Sequence, residues 1–270
     1  MRPRWSLIPV ALIGCTPEPA SSQEILQTVQ ELVDQGRAIA LENTAVAWVA
    51  DVDPDGEPLA LRDDVAARLA ADIPCAVIAV DADKPRFTLD FEADCTIRGR
   101  SYTGGLTVTY ARPSPDTLLV SVEFDDLASA GTTLGGTSRI TWGVGATRRV
   151  VSQLQLDSAA PDSETPGRQI EVQSDRIQRS TMGHLQIDGW RRWQTLMGKW
   201  KAELGGWELA SQDLLPTRGL TAVDTPFEHD IHVDHEAAGD GTIEVRANGG
   251  RRDFVFLVAA DGAITELGED

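Results

Sequence analysis

The chain has 270 residues and a net charge of −18, from 24 basic against 42 acidic side chains. That sign excludes a nucleic-acid binder, which needs a basic footprint to neutralise phosphates, and it repels anionic lipid headgroups. With 41% hydrophobic and 24% charged residues, there are enough apolar side chains for a sizeable core in one large domain or two small ones.

The N-terminus reads as an export address. Arg2 and Arg4 give a short positive stretch, Trp5 to Ile13 an apolar one, and small Gly14 precedes Cys15. This is the pattern of a secretory signal peptide, and it is too short for a membrane-spanning helix, which needs about 20 apolar residues. The tetrad Leu12-Ile13-Gly14-Cys15 resembles the lipobox of bacterial lipoproteins. That resemblance implies a discarded segment 1–14 and a Cys15 carrying several acyl chains, which anchor stably where one chain is marginal. A plain secretory signal is the alternative. Thr16 stands where an aspartate commonly marks inner-membrane retention in the lipoproteins it resembles, so the expected address is the outer membrane of the cell envelope. Residues 15–22 are polar and Pro/Ser-rich and read as a tether.

Three cysteines are an odd number for an exported chain. With Cys15 as the lipid site, Cys75 and Cys95 remain as a pair, expected to be oxidised outside the cytoplasm. Closing that loop is worth roughly 3 kcal/mol in the chain-entropy model. Two buried free thiols are the alternative. Neither cysteine sits in a Cys-x-x-Cys arrangement, which argues against redox catalysis and a zinc ribbon.

Residues 23–73 form the expected helical region. Ile25, Val29, Leu32, Val33, Ile39 and Leu41 recur near helical spacing up to Val49, with Ser22 as the N-cap and Gly36 as a weak point. After a turn-rich stretch, Val65 and Leu69 indicate a second short helix ending before Pro74.

From residue 74 to 270 the period becomes two. Leu106, Val108 and Tyr110 alternate with threonines; Leu118, Val120, Val122 and Phe124 alternate with Leu119, Ser121 and Glu123; Val150, Leu154 and Leu156 alternate with glutamines. Ile170–Val172, Ile231–Val233, Ile243–Val245 and Phe254–Val258 follow. Turns are expected at Gly104-Gly105, Gly135-Gly136, Asp188-Gly189, Gly205-Gly206, Asp240-Gly241, Asn248-Gly249 and Asp261-Gly262, with Gly143-Val144-Gly145 a further turn and 157–167 a long exposed loop. The expected fold is mainly β, an antiparallel meander forming a sandwich or barrel-like sheet, with a small helical N-terminal region.

The run Cys75…Phe87-Thr88-Leu89-Asp90-Phe91…Cys95…Gly99…Gly104-Gly105-Leu106-Thr107-Val108-Thr109-Tyr110 resembles a pattern of uncharacterised exported lipoproteins of Bacteroidetes and myxobacteria. Phe124-Asp125-Asp126-Leu127, Leu134-Gly135-Gly136-Thr137 and Gly241-Thr242-Ile243 are similar too. The chain departs at Glu92-Ala93-Asp94, where the pattern has a glycine. The resemblance spans about residues 73 to 258 and implies β architecture without a mechanism.

Three local features are candidate sites. His229, His232 and His235 are interleaved with Asp230 and Asp234, and His and Asp are zinc-type ligands. On a strand, however, His229 and His235 share one face about 20 Å apart while His232 faces the other way with the aspartates. Asp51, Asp53 and Asp55, followed by Gly56, match the first half of a calcium loop, but Arg62 stands where its last ligand belongs. An acidic surface turn is the plain reading. Trp190, Trp193, Trp200 and Trp207 are either a glycan-stacking face or core, with Arg191 and Arg192 able to stack on the rings.

No nucleophile elbow, Ser-x-x-Lys, His-Glu-x-x-His or phosphate loop occurs, and among 42 carboxylates no acid–base pair can be singled out. The expectation is therefore a lipid-anchored, non-enzymatic envelope or surface protein that meets the membrane through its anchor. It needs no cofactor and engages an envelope protein or a glycan. A carbohydrate-binding or carbohydrate-active envelope protein and a protein binding a divalent cation, Ca2+ or Zn2+, are the alternatives.

Overall fold

The computed structural model describes residues 18–142, 147–158, 168–181, 184–209, 215–250 and 252–269. Segment 1–14, Cys15, the Gly143-Val144-Gly145 turn and most of the 157–167 loop lie outside them. Two helices, α1 (Ser22–Ala50) and α2 (Pro58–Asp72), precede fourteen strands. These are β1 (Ala76–Val80), β2 (Arg86–Ile97), β3 (Arg100–Ser114), β4 (Thr117–Ser129), β5 (Thr132–Trp142), β6 (Thr147–Ser158) and β7 (Arg168–Thr181). They continue as β8 (His184–Thr195), β9 (Gly198–Leu209), β10 (Arg218–Asp224), β11 (Asp230–Ala237), β12 (Ile243–Asn248), β13 (Asp253–Val258) and β14 (Ile264–Glu269).

Every strand pairs antiparallel with its sequence neighbours, so the sheet is one continuous meander that does not close. Alternation sets its two faces. In β4, Leu118, Val120, Val122 and Phe124 are buried, while Leu119, Ser121 and Glu123 point outward.

The buried face curls around α1. This helix of about 43 Å is buried on nearly all sides. It crosses the strand order obliquely. Its first turn meets the β12–β13 turn, where Ala20 N–H donates to Gly249 C=O at 3.0 Å. Its last turn meets β3, where the Tyr110 hydroxyl donates to Val49 C=O at 2.7 Å. Trp48 packs on Phe91 and Tyr102. Burial of its hydroxyl pushes Tyr110 well above the ordinary phenol range, with Arg68 opposing the shift more weakly. Helix and sheet share a single apolar core.

The N-cap is Ser21 rather than Ser22: its backbone is extended and its Oγ accepts the Glu24 N–H at 3.2 Å. Because Ala20 is already pinned to Gly249, the expected tether does not run free to residue 22. In α2, buried Leu61, Val65 and Leu69 face the core, and the Arg62 guanidinium donates to the carbonyls of Asp81 and Lys84 in the β1–β2 turn.

Four expected glycine turns are strand interior. Gly104-Gly105, Gly135-Gly136, Asp188-Gly189 and Gly205-Gly206 lie inside β3, β5, β8 and β9. Bulges lie side by side in β2 (between Phe91 and Cys95) and β4 (opposite Thr103–Gly105 of β3), and another lies in β9, where its pairing with both β8 and β10 shifts register. Strands of 11 to 15 residues can wrap a helix only by bending, and bulges bend them. Gly104 (φ 75°) and Gly136 (φ 96°) show the need: a Cβ there would lie 2.1 Å from the Asp126 carbonyl and 2.3 Å from the Gln153 carbonyl. The turns at Asp240-Gly241, Asn248-Gly249 and Asp261-Gly262 do connect strands, as expected.

Candidate functional site

A polar seam runs along α1 where it faces β5 to β8. Glu24, Glu31, Gln35 and Glu42 recur at spacings of seven, four and seven, which places them on one helix face. All four are buried; Glu31, Gln35 and Glu42 meet partners from the strands, and Glu24 meets the β10–β11 turn. Glu24 takes the Thr225 hydroxyl at 2.7 Å and His229 Nδ1 at 2.8 Å. Glu31 accepts the Trp193 indole N–H at 3.2 Å, and Gln35 accepts Arg191 Nε at 2.8 Å.

Glu42 is the centre of the seam. Ser138, Ser152, Ser174 and Arg191 stand opposite one another on four consecutive strands, so a row of three short side chains leaves room for its carboxylate. Ser138 Oγ lies 2.8 Å from Glu42 Oε1, and Ser152 Oγ bonds the same oxygen. Arg176 Nη2 lies 2.6 Å from Oε2, with Arg191 Nη1 at 3.6 Å. Asn43 takes Gln178 Nε2 at 2.9 Å, and Gln178 takes Arg148 Nε at 2.8 Å, with that guanidinium over the Trp142 ring.

The charges are tuned accordingly. Burial acts to raise the Glu42 carboxyl, but Arg176, Arg191 and the two serine hydroxyls outweigh it and hold the group below its ordinary range. Burial pushes Arg191 down to about 9; Glu42 opposes that and Arg176 adds to it. Burial also lowers Arg148. The seam is thus a buried network of charge pairs and hydrogen bonds that ties the helix to the sheet in one register.

The three arginines were legible but unread. Arg176 shares the buried parity of Ile170 and Val172, Arg148 that of Val150 and Leu154, and Arg191 that of Trp193. A cation on the apolar beat of a strand announces a buried partner.

The histidines divide as their parity requires. His232 is exposed beside Asp230 and Asp234, whereas His229 is held by Glu24 and His235 is 1% exposed in the core. His235 Nε2 sits 3.0 Å from Thr221 Oγ1, which accepts the Trp207 indole N–H. Burial pushes His235 down to about 3, so the ring is neutral. Asp51, Asp53 and Asp55 are exposed and do not converge. Asp53 Oδ1 accepts the Asp55 N–H at 3.0 Å, and the Arg112 guanidinium takes the carbonyls of Pro54 and Gly56 at 2.7 Å. Among the described residues no group of three or more His, Cys, Asp or Glu is arranged to hold a metal ion. Neither the histidine run nor the aspartate loop forms the cation site considered for it.

The tryptophans are not a stacking platform. Trp193, Trp200 and Trp207 are buried, with Trp193 and Trp200 stacked at 5.9 Å. Only Trp190 faces outward, under the Arg192 guanidinium at 4.8 Å. Strand parity separates them, and the apolar area of three indoles is spent on the core. Cys75 and Cys95 are joined by a disulfide.

The outward face carries an open groove of about 1300 Å³ across the ends of β3 to β8. Asp126, Thr133, Gln155, Glu171 and Gln194 line it, and none of its lining residues is basic. Asp157 belongs both to it and to an adjoining hollow lined by Thr132; Asp157 Oδ1 and Thr132 Oγ1 are buried with no hydrogen-bond partner among the described residues. Leu196, fully exposed, stands at the rim. Sequence reasoning missed this groove because its residues come together only through cross-strand register.

No helix among the described residues is long and apolar enough to cross a membrane. Compared with protein-family models, curated proteins and solved structures, the chain matches none.

Proposed function

We propose that this chain is an exported, lipid-anchored, non-catalytic protein of the cell envelope that works through the outward face of its sheet. The observation that carries the reading is the bond between Cys75 and Cys95, which takes two of the three cysteines and leaves Cys15 for the lipid. The compartment that oxidises that pair is the compartment to which the lipobox-like tetrad directs a chain. The sheet's apolar side is filled by α1, so a partner meets the polar side. The test is the full chain expressed in a bacterium that processes lipoproteins and fed an alkyne-bearing palmitate. The chain should take up the label and partition with membranes, and Cys15→Ser should do neither. Unlabelled native protein in the soluble fraction would overturn the reading.

A second reading, a glycan as the partner, is favoured by the groove over β3 to β8. Amides, carboxylates and hydroxyls are the groups that hydrogen-bond sugar hydroxyls, and the acidic lining disfavours anions. A glycan array probed with residues 16–270 and with Gln155→Ala/Glu171→Ala tests it. Hits lost in the variant support the reading, and identical patterns sink it.

A further inference from the structure

We propose that the interior space between α1 and strands β6 to β8 is a binding site for one small monovalent anion of the halide type, held by Arg176, Arg191, Gln35 and Ser174. The argument starts from charge. Arg176 and Arg191 are 0% and 1% exposed and together carry two positive charges, and among the described residues the carboxylate paired with them is Glu42. The other acids of the seam are engaged elsewhere, Glu31 on the Trp193 indole and Glu24 on Thr225 and His229. Arg148, the third guanidinium packed against this region, is bonded to Gln178 and has Asp51 as its nearest compensating charge. One positive charge beside Glu42 is left without a counter-charge, and an uncompensated buried charge is among the most costly features a fold can hold.

Hydrogen bonding points to the same place. Arg176 Nε, Arg191 Nη2, Gln35 Nε2 and Ser174 Oγ are buried with no hydrogen-bond partner among the described residues, and Arg191 Nη1 stands 3.6 Å from Glu42 Oε2. They converge. Both guanidiniums reach Glu42 Oε2, Gln35 holds Arg191 through its other amide atom, and Ser174 stands directly across the ladder from Arg191. All but the hydroxyl are pure donors, so the set calls for an acceptor. A water would accept these bonds and leave the charge unmatched, whereas a monovalent anion answers both needs. The Glu42 carboxylate already fills the room beside Ser138 and Ser152, so a further ligand next to it is small, a single atom and not a tetrahedral oxyanion.

The experiment is thermal unfolding of the full folded protein at constant ionic strength, with chloride or bromide replacing gluconate. The melting temperature should rise with halide concentration, and Arg191→Met should lose that dependence while Arg139→Met, on the outward face, keeps it. Coincident halide and gluconate curves for the native protein, or an unchanged halide dependence in Arg191→Met, would overturn the proposal. Should Arg191→Met fail to fold, crystals of the native protein grown in bromide decide. An anomalous peak within hydrogen-bonding distance of Arg191 supports the site, and its absence refutes it.

Discussion

Replacing Glu42 by glutamine keeps the shape of the side chain and removes its charge. Glu42 and Arg176 are both fully buried, with Nη2 of the arginine 2.6 Å from the carboxylate and Arg191 beyond it. The substitution leaves two guanidiniums buried with no counter-charge from the protein, a loss of about 3–5 kcal/mol. At roughly 2–4 °C per kcal/mol for a chain of this size, the melting temperature should fall by about 6–20 °C. Urea and thermal unfolding followed by tryptophan fluorescence will report it, since Trp193, Trp200 and Trp207 are buried beside or near the seam. The cost is uncompensated charge, so Glu42→Gln/Arg176→Met should be more stable than the sum of its single variants predicts. The sign with pH is fixed as well. The folded-state carboxyl is depressed, so its contribution is complete above the unfolded carboxylate range and disappears as the pH falls through the depressed value. The gap between native and Glu42→Gln should therefore narrow in acid. A loss under about 0.5 kcal/mol, or strictly additive single and double variants, would refute the reasoning.

Opening the disulfide with Cys75→Ala/Cys95→Ala should cost about 3 kcal/mol by the loop-entropy model, measured as a lower urea midpoint; an unchanged midpoint would show that the crosslink constrains nothing. His235 is neutral down to about 3 in the folded protein and titrates at its ordinary value when unfolded. The unfolded state therefore takes up the proton first, and stability should decline by about 1.4 kcal/mol per pH unit between those values, a slope that His235→Asn should remove. Gly99→Ala meets open space at φ 80° and should cost about 1–2 kcal/mol of backbone strain, whereas Gly104→Ala, facing the Asp126 carbonyl, should cost clearly more. Equal melting temperatures for the two would deny the bulge its role. Trp200→Ala should cost about 3–5 kcal/mol and Trp190→Ala far less, compared by chemical denaturation.

The strands were readable wherever small polar residues alternate with aliphatic ones, as in β4 and β6, because burial on one face writes its own period. The glycine pairs misled because a sequence shows that the backbone must turn or approach closely, but not whether it reverses direction or bends within a strand. Gly136 and Gly249 look alike in sequence, yet one bends β5 around a helix and the other links two strands. The place of α1 inside the sheet was hidden for a different reason. Glu31, Gln35, Glu42 and Asn43 read as a wet helix face, since nothing local reveals that arginines and a tryptophan over a hundred residues away will meet them. The seven-four-seven spacing of the acids and amide, set beside arginines on the buried beat of β6, β7 and β8, was the available clue.

The oblique course of α1 bears on how the molecule is made. The first helix off the ribosome depends on the last hairpins: Glu24 is bonded to Thr225, 201 residues on, and Arg37 to the backbone of Asp261, 224 residues on. Until those late segments have been synthesised, α1 has only part of its lining, and contacts of such long range form slowly. A nascent chain built this way cannot close its core around α1 until the hairpins that carry Thr225 and Asp261 have been made.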